Sequence, residues 1–348
     1  MTDFSNLTNN IQSINPQLSS MKKTTYVLLS FLLWTLGFNA WAQHEHDFVN
    51  GICTYDDCLP PAKYQEPTKA DDGFYELRNA GNVEWISYMV RESSTFGLDP
   101  NCRLMNDIDF EGIENLHSPI GPTNGKKYNG TFDGQGFRIK NMIINRPNDE
   151  KQGFFGSLRG NPNTRGEATV VKNLIIDKSC SIIGGKRTGG ICGSGQNNEK
   201  EIYILNCVNE ASVTSSSNNV AGILGGSDGN HPKWQIINCV NTGTITCTNE
   251  GHEGAGITSW CGDNASTRVE NCINIGEVIG MDASGRSIFR HSGSLTAKNN
   301  FDLSGSEGAN QGIDHDFTFE DITNGRLCYY MSGKQEEIIY WQTIGTDA

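Results

Sequence analysis

Short apolar runs separated by Gly, Ser and Asn make up most of the chain between residues 128 and 300. Examples are "CSIIGG" at 180–185, "GTITCT" at 243–248 and "GEVIGM" at 276–281. The length and β-branched content of these runs are typical of strands. Nowhere in this region do apolar residues follow the 3.6-residue spacing of a helix over a helix's length. The pattern therefore predicts many short strands joined by tight turns.

The apolar runs recur at a nearly fixed interval. An Asn-Cys-apolar-Asn motif stands at 206–209, 238–241 and 271–274, and "KNMIIN" and "KNLIID" precede it in the same alignment. The aligned first asparagines are separated by 32, 33, 32 and 33 residues. These anchors are Asn141, Asn173, Asn206, Asn238 and Asn271. A second series of anchors lies around Ile191, Ile223, Ile257 and Ile288, and a looser sixth repeat begins near Asn300.

A single repeat of this kind cannot bury its own apolar face, so the repeats are expected to stack. With about three strand-like segments per repeat, the chain is predicted to form an all-β fold, a right-handed parallel β-helix with three sides and coils of about 32–33 residues. Equivalent residues of neighbouring coils would then lie about 4.8 Å apart. The anchors would form an Asn ladder beside one internal column. That column would contain Met142, Leu174, Cys207, Cys239 and Cys272.

The segments that flank the repeats have a different pattern. Residues 75–92 carry an apolar helical stripe, which predicts an amphipathic helix that caps the first coil. The stripe consists of Leu77, Ala80, Val83, Ile86 and Met89 or Val90. The capped β-helix is predicted to span 74–316, with a C-terminal segment at 317–348. Residues 43–73 are polar and Pro-containing and are predicted as a linker, in which Cys53 and Cys58 are candidates for a disulfide.

The N-terminal region reads as an export signal. Met21 is followed by two lysines, an apolar run too short to span a bilayer, and small residues at Ala40 and Ala42. This order is typical of a secretory signal peptide at 21–42. Residues 1–20 are interpreted as an upstream extension before the true initiator. The mature protein is therefore predicted to be secreted or attached to the outer cell surface, with no transmembrane segment after cleavage.

The charge of the predicted mature chain limits its partners. Only Asp3, Lys22 and Lys23 lie before residue 43, so 25 basic and 39 acidic residues remain. An acidic chain without a Lys/Arg cluster lacks the charge pattern of a nucleic-acid-binding protein. No cofactor-binding motif is found, and the absence of H-E-x-x-H argues against a zincin-type peptidase. We predict no cofactor and no nucleic-acid partner.

The sequence resembles the GLUG-repeat family of secreted and cell-surface bacterial proteins. The resemblance rests on "YNGTFDGQGFRIKNMIIN" with "GFFGSL" at 128–158, followed by "GGICGS" and "AGILGGS" with intervening "NC" segments, and it covers roughly residues 75–300. It implies a β-helical surface module and brings no catalytic residues with it. Relatives usually continue past the C-terminal "YWQTIGTD" segment, so that segment is expected to be incomplete.

The recurring cysteines raise the question of a metal or redox site. Zinc needs four ligands around one point, whereas thiols stacked in a line at strand spacing cannot enclose an ion. No His lies beside any of the three motifs. A disulfide between in-register neighbours would be strained, because their Cβ vectors run parallel, and it stays as the alternative. We predict no metal site and interpret Cys207, Cys239 and Cys272 as small buried hydrophobic residues.

Asp228 and Asp263 are the strongest candidates for chemistry. Each follows the isoleucine of the second anchor by five or six residues on adjacent coils, so the two carboxylates are expected within about 5–10 Å, as in glycosidases. His231 and Trp260 lie close in sequence and complete a candidate catalytic or sugar-binding surface. Asp is also common in turns for structural reasons, and that reading stays open.

The sequence thus predicts an exported, non-catalytic β-helical interaction module, adhesin-like in character. Its partner would be a host glycan or a host or bacterial surface protein. The alternatives are a carbohydrate-active β-helix enzyme, either a polysaccharide lyase or a glycoside hydrolase, and an accessory stalk of a larger surface protein.

Overall fold

The computed structural model describes residues 45–92, 100–113, 117–122, 126–160, 168–197, 201–227, 233–249, 254–261, 266–280, 288–291, 294–304, 313–314 and 318–331. The chain divides into two units, Met1–His46 and Asp47–Ala348, and the structure below belongs to the second. The predicted signal peptide and upstream extension lie outside the described residues. No helix in the described ranges is long and apolar enough to cross a membrane.

Parallel strands stack coil upon coil, which confirms the predicted all-β parallel β-helix. Two long sheets run along the stack, and we name them sheets A and B. In spatial order, sheet A contains β29 (Ser294–Lys298), β25 (Ser266–Glu270), β20 (Lys233–Ile237), β16 (Glu201–Leu205), β11 (Thr169–Lys172), β7 (Thr131–Asp133), β5 (Cys102–Leu104), β4 (Tyr75–Leu77) and β3 (Thr68–Lys69). Sheet B contains β31 (Ile313–Asp314), β30 (Asn300–Asp302), β26 (Ile273–Asn274), β21 (Val240–Asn241), β17 (Val208–Asn209), β12 (Ile175–Ile176), β8 (Arg138–Lys140) and β6 (Ile108–Asp109).

Shorter sheets complete the coils. Sheet C contains β27 (Val278–Ile279), β22 (Ile245–Cys247), β18 (Ser212–Ser215), β13 (Ser181–Gly184) and β9 (Ile143–Arg146). Sheet D contains β14 (Thr188–Gly189), β19 (Val220–Ala221) and β23 (Gly254–Ala255). Sheet E consists of two strand pairs, β10 (Phe155–Gly160) with β15 (Cys192–Asn197) and β24 (Thr258–Cys261) with β28 (Phe289–His291). Bridges through Leu224 connect these two pairs.

A complete coil contains more strand segments than the sequence pattern shows. Residues 168–197 carry β11 to β15, five segments instead of the three expected. Two of them, β12 and β14, are only two residues long. A segment of two residues has no alternation of apolar and polar positions to detect, so hydrophobic patterning merges it with its neighbours.

An asparagine ladder follows the corner between sheets A and B. The side-chain Nδ2 of each asparagine donates to the Oδ1 of the ladder residue in the preceding coil. The four bonds between asparagines are 3.1–3.3 Å long. The members are Asn173, Asn206, Asn238, Asn271 and Asn299. All five have φ between 49° and 56°, in the left-handed region that Asn tolerates better than most residues. The recurring Asn therefore turns the chain at this corner and links the coils.

Asn141 is not part of this ladder, so its assignment to it is wrong. It lies at the next corner, between β8 and β9, and its Nδ2 donates to Asp109 Oδ1 over 2.7 Å. The residue that precedes Asn173 in the ladder is Asp133, whose Oδ1 accepts from Asn173 Nδ2 over 2.9 Å. These two residues are 40 positions apart, because this coil includes additional residues after β10. The 32-residue interval from Asn141 therefore joined two different corners.

The internal cysteine column also differs from the prediction, because its predicted first residue, Met142, does not belong to it. The register of β12, β17, β21 and β26 places Leu174, Cys207, Cys239 and Cys272 in one column, all fully buried. Met142 lies in another column, where its backbone N–H contacts Cys180 Sγ at 3.3 Å. The position opposite Leu174 in the preceding coil is taken by Phe137, because Ile175 pairs with Arg138.

The second Asn of each repeat motif forms another ladder, inside the solenoid. Asn209, Asn241 and Asn274 are fully buried. Each Nδ2 donates to the next coil over 2.8–3.2 Å, and the series ends at Asp302 Oδ1. The same nitrogens also donate to the backbone carbonyl two residues ahead. These carbonyls lie at the bend after sheet B and thereby gain a hydrogen-bond donor. Gly222 is needed beside this ladder, since a Cβ there would lie 2.2 Å from Asn241 Oδ1.

A helix caps the first coil. Helix α1 (Ala80–Glu92) buries Ala80, Val83, Ile86 and Val90 as the stripe predicts, but Leu77 belongs to β4 in sheet A. The polar residues Glu84 and His117 are buried where the helix meets the coil, with Glu84 Oε1 and His117 Nδ1 2.6 Å apart. His117 Nε2 donates to the Phe154 carbonyl over 3.0 Å, and the imidazole stacks on the Phe154 ring. This pair holds the cap on the solenoid.

The segments outside the coils also have structure. Within the range predicted as a linker, β1 (Phe48–Val49) and β2 (Ile52–Cys53) form an antiparallel hairpin, and Cys53 and Cys58 form a disulfide. In the C-terminal segment, α2 (Phe319–Thr323) and α3 (Arg326–Met331) follow one another. Thr318 begins α2, where its backbone N–H donates to Asp321 Oδ2 over 2.7 Å.

Candidate functional site

Three of the four residues predicted to form a site lie outside the described residues. These are Asp228, His231 and Asp263, so the predicted carboxylate pair stays a prediction. Trp260 is half-buried in β24, and its backbone carbonyl accepts a hydrogen bond from the Ser227 N–H over 2.9 Å. Within the described residues, candidate binding sites therefore lie on other surfaces.

The chain was expected to contain no G-x-S-x-G motif, and this expectation is wrong, because Ser227 belongs to such a sequence at 225–229. In α/β-hydrolases this motif exposes a nucleophilic Ser on a turn from a strand to a helix. Here Ser227 lies between the strands β19 and β20 and is 5% exposed. Its Oγ accepts from Trp234 Nε1 over 3.4 Å. The match is therefore accidental, and the Ser is part of the core.

The outer face of sheet B carries three parallel columns of side chains. The corner column is Asp133 followed by the ladder of Asn173, Asn206, Asn238, Asn271 and Asn299. The central column is Arg138, Ile175, Val208, Val240, Ile273 and Phe301. The far column is Lys140, Asp177, Glu210, Thr242, Ile275 and Leu303. Side chains of successive residues in a strand point to opposite faces, so these residues face outward, away from the solenoid interior that contains the cysteine column.

The C-terminal helices cover the last part of the central column. Val240, Ile273 and Phe301 are 9%, 6% and 3% exposed, and Leu327 of α3 packs with them in a hydrophobic cluster separate from the main core. Ile322 of α2 adds to the same cluster. The outer face of sheet B is therefore a surface on which a short helical segment packs.

A groove remains where the helices do not reach. It has a volume of about 530 Å³. Its lining residues are Asp133, Gln135, Gly136, Asn173, Ile175, Asn206 and Val208. Ile175 and Val208, half-buried members of the central column, form its apolar part, and the amides of Asn173 and Asn206 form one side. The apolar floor can bind apolar side chains of a ligand, while the row of amides can form hydrogen bonds with its polar groups.

Asp133, the carboxylate of this groove, is held ionised by its neighbours. Burial raises the pKa of Asp133, but hydrogen bonds from the Asn173 amide and the Gln135 N–H, with Lys172 nearby, more than offset burial and leave the pKa below its usual value. Lys172 Nζ lies 3.2 Å from Asp133 Oδ2. A general acid needs a raised pKa, so Asp133 is suited to organising the turn and not to proton transfer.

The charged part of the far column is also paired. Arg138 donates to Asp177 Oδ2 over 2.8 Å and to Glu210 Oε2 over 2.7 Å. Burial raises the pKa of Asp177, but hydrogen bonds from Ser179 and Arg138 outweigh it and lower the pKa overall. Half-exposed ion pairs of this kind contribute at most about 1 kcal/mol each. We interpret them as the charged border of the groove.

The thiols of the cysteine column are unsuited to chemistry. Burial raises the pKa of Cys207 and of Cys239 well above the usual thiol value. The thiolate is the form that attacks electrophiles or binds a metal, so a thiol that resists ionisation is inert. The described structure therefore supports the packing role of these residues.

The groove was not predicted from the sequence, although the sequence contains a signal for it. Strands of sheet B have apolar residues on the outer face, as in the Val or Ile of each Asn-Cys-apolar-Asn motif. A strand that is apolar on both faces is normally covered on both. The third position of the motif thus indicated an outer face that packs against another segment.

Comparisons with known proteins support the fold. No protein-family model matches the chain, and no curated protein matches it in sequence. Among solved structures, the chain is similar to one described as a putative immunoglobulin A1 protease from Bacteroides ovatus, with a TM-score of 0.51 and 19% sequence identity. The match covers 79% of this chain and 94% of that one. At this identity the likeness shows a shared β-solenoid fold alone.

Proposed function

We propose that the protein is an exported, non-catalytic interaction module that binds its partner in the groove on the outer face of sheet B. The observation that carries the proposal is the central column. Val240, Ile273 and Phe301 are buried by the chain's own helices, whereas Ile175 and Val208 continue the same apolar column into an open groove. A half-covered apolar column beside a row of side-chain amides is suited to binding a partner.

The chemistry of the groove favours binding over catalysis. An enzyme of the polysaccharide-degrading kind needs carboxylates with separated pKa values, one of them raised. In the described part of the outer face, the pKa values of Asp133 and Asp177 are lowered and both carboxylates are paired. Asp228 and Asp263 keep a carbohydrate-active function as the second candidate, and a stalk role within a larger surface protein is the third.

Export and family membership are part of the proposal. The n-region, apolar run and small residues of 21–42 support secretion or surface attachment, and the Cys53–Cys58 disulfide suits an oxidising compartment. The "YNGTFDGQGF" sequence and the recurring "NC" segments support membership of the GLUG-repeat family. The β-solenoid shared with the solved structure is consistent with both, and the protease name of that structure belongs to it alone.

A binding screen with matched variants tests the function. The chain would be applied to arrays of immobilised glycans and of extracellular proteins, as wild type, as Ile175→Glu with Val208→Glu, and as Ile279→Glu. Ile279 is 41% exposed on sheet C, so its variant adds a charge at a comparable apolar site on another face. We expect ligand signals that fall at least about tenfold in the groove variant, a loss of about 1.4 kcal/mol, and persist in the control.

Two results would contradict the proposal. One is a ligand whose binding is equal in wild type and in the groove variant. The other is turnover of a bound glycan into smaller products by the wild type, together with its loss in Asp228→Ala with Asp263→Ala, which would establish the enzyme instead.

A further inference from the structure

We propose that the groove over Ile175 and Val208 binds an amphipathic helix of a partner protein, through two apolar side chains three or four positions apart on that helix. This assignment of the ligand class rests on the proposed function of the groove, which leaves glycans and proteins both open. Helix α3 already packs on the same column and shows what kind of segment the surface can hold.

The groove is continuous with the interface of α3. Leu327 and Tyr330 of this helix pack in a cluster with Val240. Val208, on the floor of the groove, packs against the same cluster and pairs in register with Val240. Ile175 pairs with Val208 one coil further along. The floor therefore offers a partner the same kind of surface that α3 covers.

Helix α3 shows which side-chain spacing suits this column. Its packed residues Leu327 and Tyr330 are three positions apart, which places them on one face of the helix. Leu327 is only 2% exposed, although the helix has six residues. An isolated helix of that length is not stable in water, so its packing on the column stabilises it. A partner helix with the same spacing would make the same kind of contact.

The interval between coils favours a helix over an extended strand. Ile175 and Val208 belong to neighbouring coils of sheet B, which lie about 4.8 Å apart. A helix laid along the stack returns to the same face about every 5.4 Å. An extended strand presents side chains on one face about every 6.6 Å, a mismatch about three times as large. A helix can therefore place one apolar side chain beside each coil.

The open part of the column accommodates two such side chains. At one end, Arg138 precedes Ile175 in the column, and its guanidinium is paired with Asp177 and Glu210. At the other end, Val240 is already covered by α3. The apolar floor between these limits spans two residues on two coils. One pair of apolar side chains on a helix face is enough to fill it.

The corner ladder offers a polar surface beside this floor. Asn173 and Asn206 line the groove, and Asn206 is exposed. A side-chain amide both donates and accepts hydrogen bonds, so a row of amides suits the polar flank of an amphipathic helix. The floor and the ladder therefore match the two faces of one helix.

Two model helices of identical composition test the proposal. Each is a labelled peptide of about 20 residues, rich in Ala, Glu and Lys, and carries two leucines. The first peptide has its leucines at positions i and i+4, on one helix face, and the second has them at i and i+2, on different faces. Fluorescence anisotropy measures the binding of each to the full chain as wild type, as Ile175→Glu with Val208→Glu, and as Ile279→Glu.

We expect the wild type to bind the first peptide at least about tenfold more tightly than the second, a difference of about 1.4 kcal/mol. The groove variant should bind the first peptide at least about tenfold more weakly than the wild type does. The Ile279→Glu variant should bind it as the wild type does. Val208→Glu alone replaces the double substitution if that variant does not unfold cooperatively.

Equal binding of the two peptides by the wild type, or no saturable binding of either, would overturn the helix proposal. Tighter binding of the second peptide would also overturn it, because leucines at i and i+2 share one side of an extended strand. So would equal binding of the first peptide by the wild type and the groove variant. The array screen decides the proposed function separately, since a glycan that needs Ile175 and Val208 would keep the groove as the binding site and exclude only the helix.

Discussion

Asn241→Asp is expected to lower the free energy of unfolding by about 3–5 kcal/mol, the usual effect of a buried charge that no opposite charge compensates. Asn241 is fully buried, and its Nδ2 donates to the Gly243 carbonyl and to Asn274 Oδ1, both over 2.9 Å. A carboxylate at this position could still accept from Asn209 Nδ2, but it has no hydrogen to donate and would face two acceptors. Urea unfolding followed by circular dichroism measures the loss as a lower midpoint.

The matched control lies in the same motif. Asn238 occupies the corner of the coil with φ of 56°, which Asp tolerates, and its side chain is half-exposed. Asn238→Asp removes one ladder hydrogen bond of 3.1 Å at a solvated position, so we expect a loss of only about 1 kcal/mol. Equal losses for the two variants would show that the inner ladder does not carry the stability assigned to it.

Glu84→Leu is expected to destabilise the protein by about 3–5 kcal/mol, because it leaves one member of a buried polar pair without its partner. The Glu84 side chain is 2% exposed and contacts both His117 Nδ1 and, over 3.3 Å, the Ser118 N–H. Since His117 Nε2 is committed to the Phe154 carbonyl, the ring cannot turn to find another acceptor. The loss would be measured by chemical unfolding.

The position of the pair adds a second readout. Glu84 lies on the cap helix and His117 beside the first coil, so breaking the pair should raise amide hydrogen exchange first in Ala80–Glu92. Glu92→Leu, on the exposed end of the same helix, should leave both measurements nearly unchanged. An exchange increase spread evenly over all coils would contradict a role in holding the cap.

The repeat could be predicted from sequence because single residues have strict positional requirements. An Asn with positive φ at each corner, a small apolar residue inside and a second buried Asn recur wherever a coil passes the same point, as at 206–209 and 238–241. The regular spacing of these residues is enough to predict that the coils stack, even when no contact between them is known. The register was wrong in the first repeat, at Asn141 and Met142, where a longer coil made two different corners fall 32 residues apart.

The groove could not be predicted in the same way. It depends on where α2 and α3 end on the outer face of sheet B, and helices of five and six residues are too short to show an apolar period. Its floor consists of the apolar residue of each repeat motif, which looked like core. Whether Val208 or Val240 is covered is decided by packing between segments far apart in the chain, and local sequence does not encode it.

The recurring cysteines are core residues, and counting reactive thiols in the native chain tests this most directly. Nine cysteines lie outside the disulfide, and all but Cys328 are buried. With a disulfide-exchange reagent at neutral pH, we predict that at most one thiol reacts in the folded protein and that all nine react after unfolding. Native reaction of Cys207, Cys239 and Cys272, or their protection by added zinc, would contradict the structural role of the repeat motif.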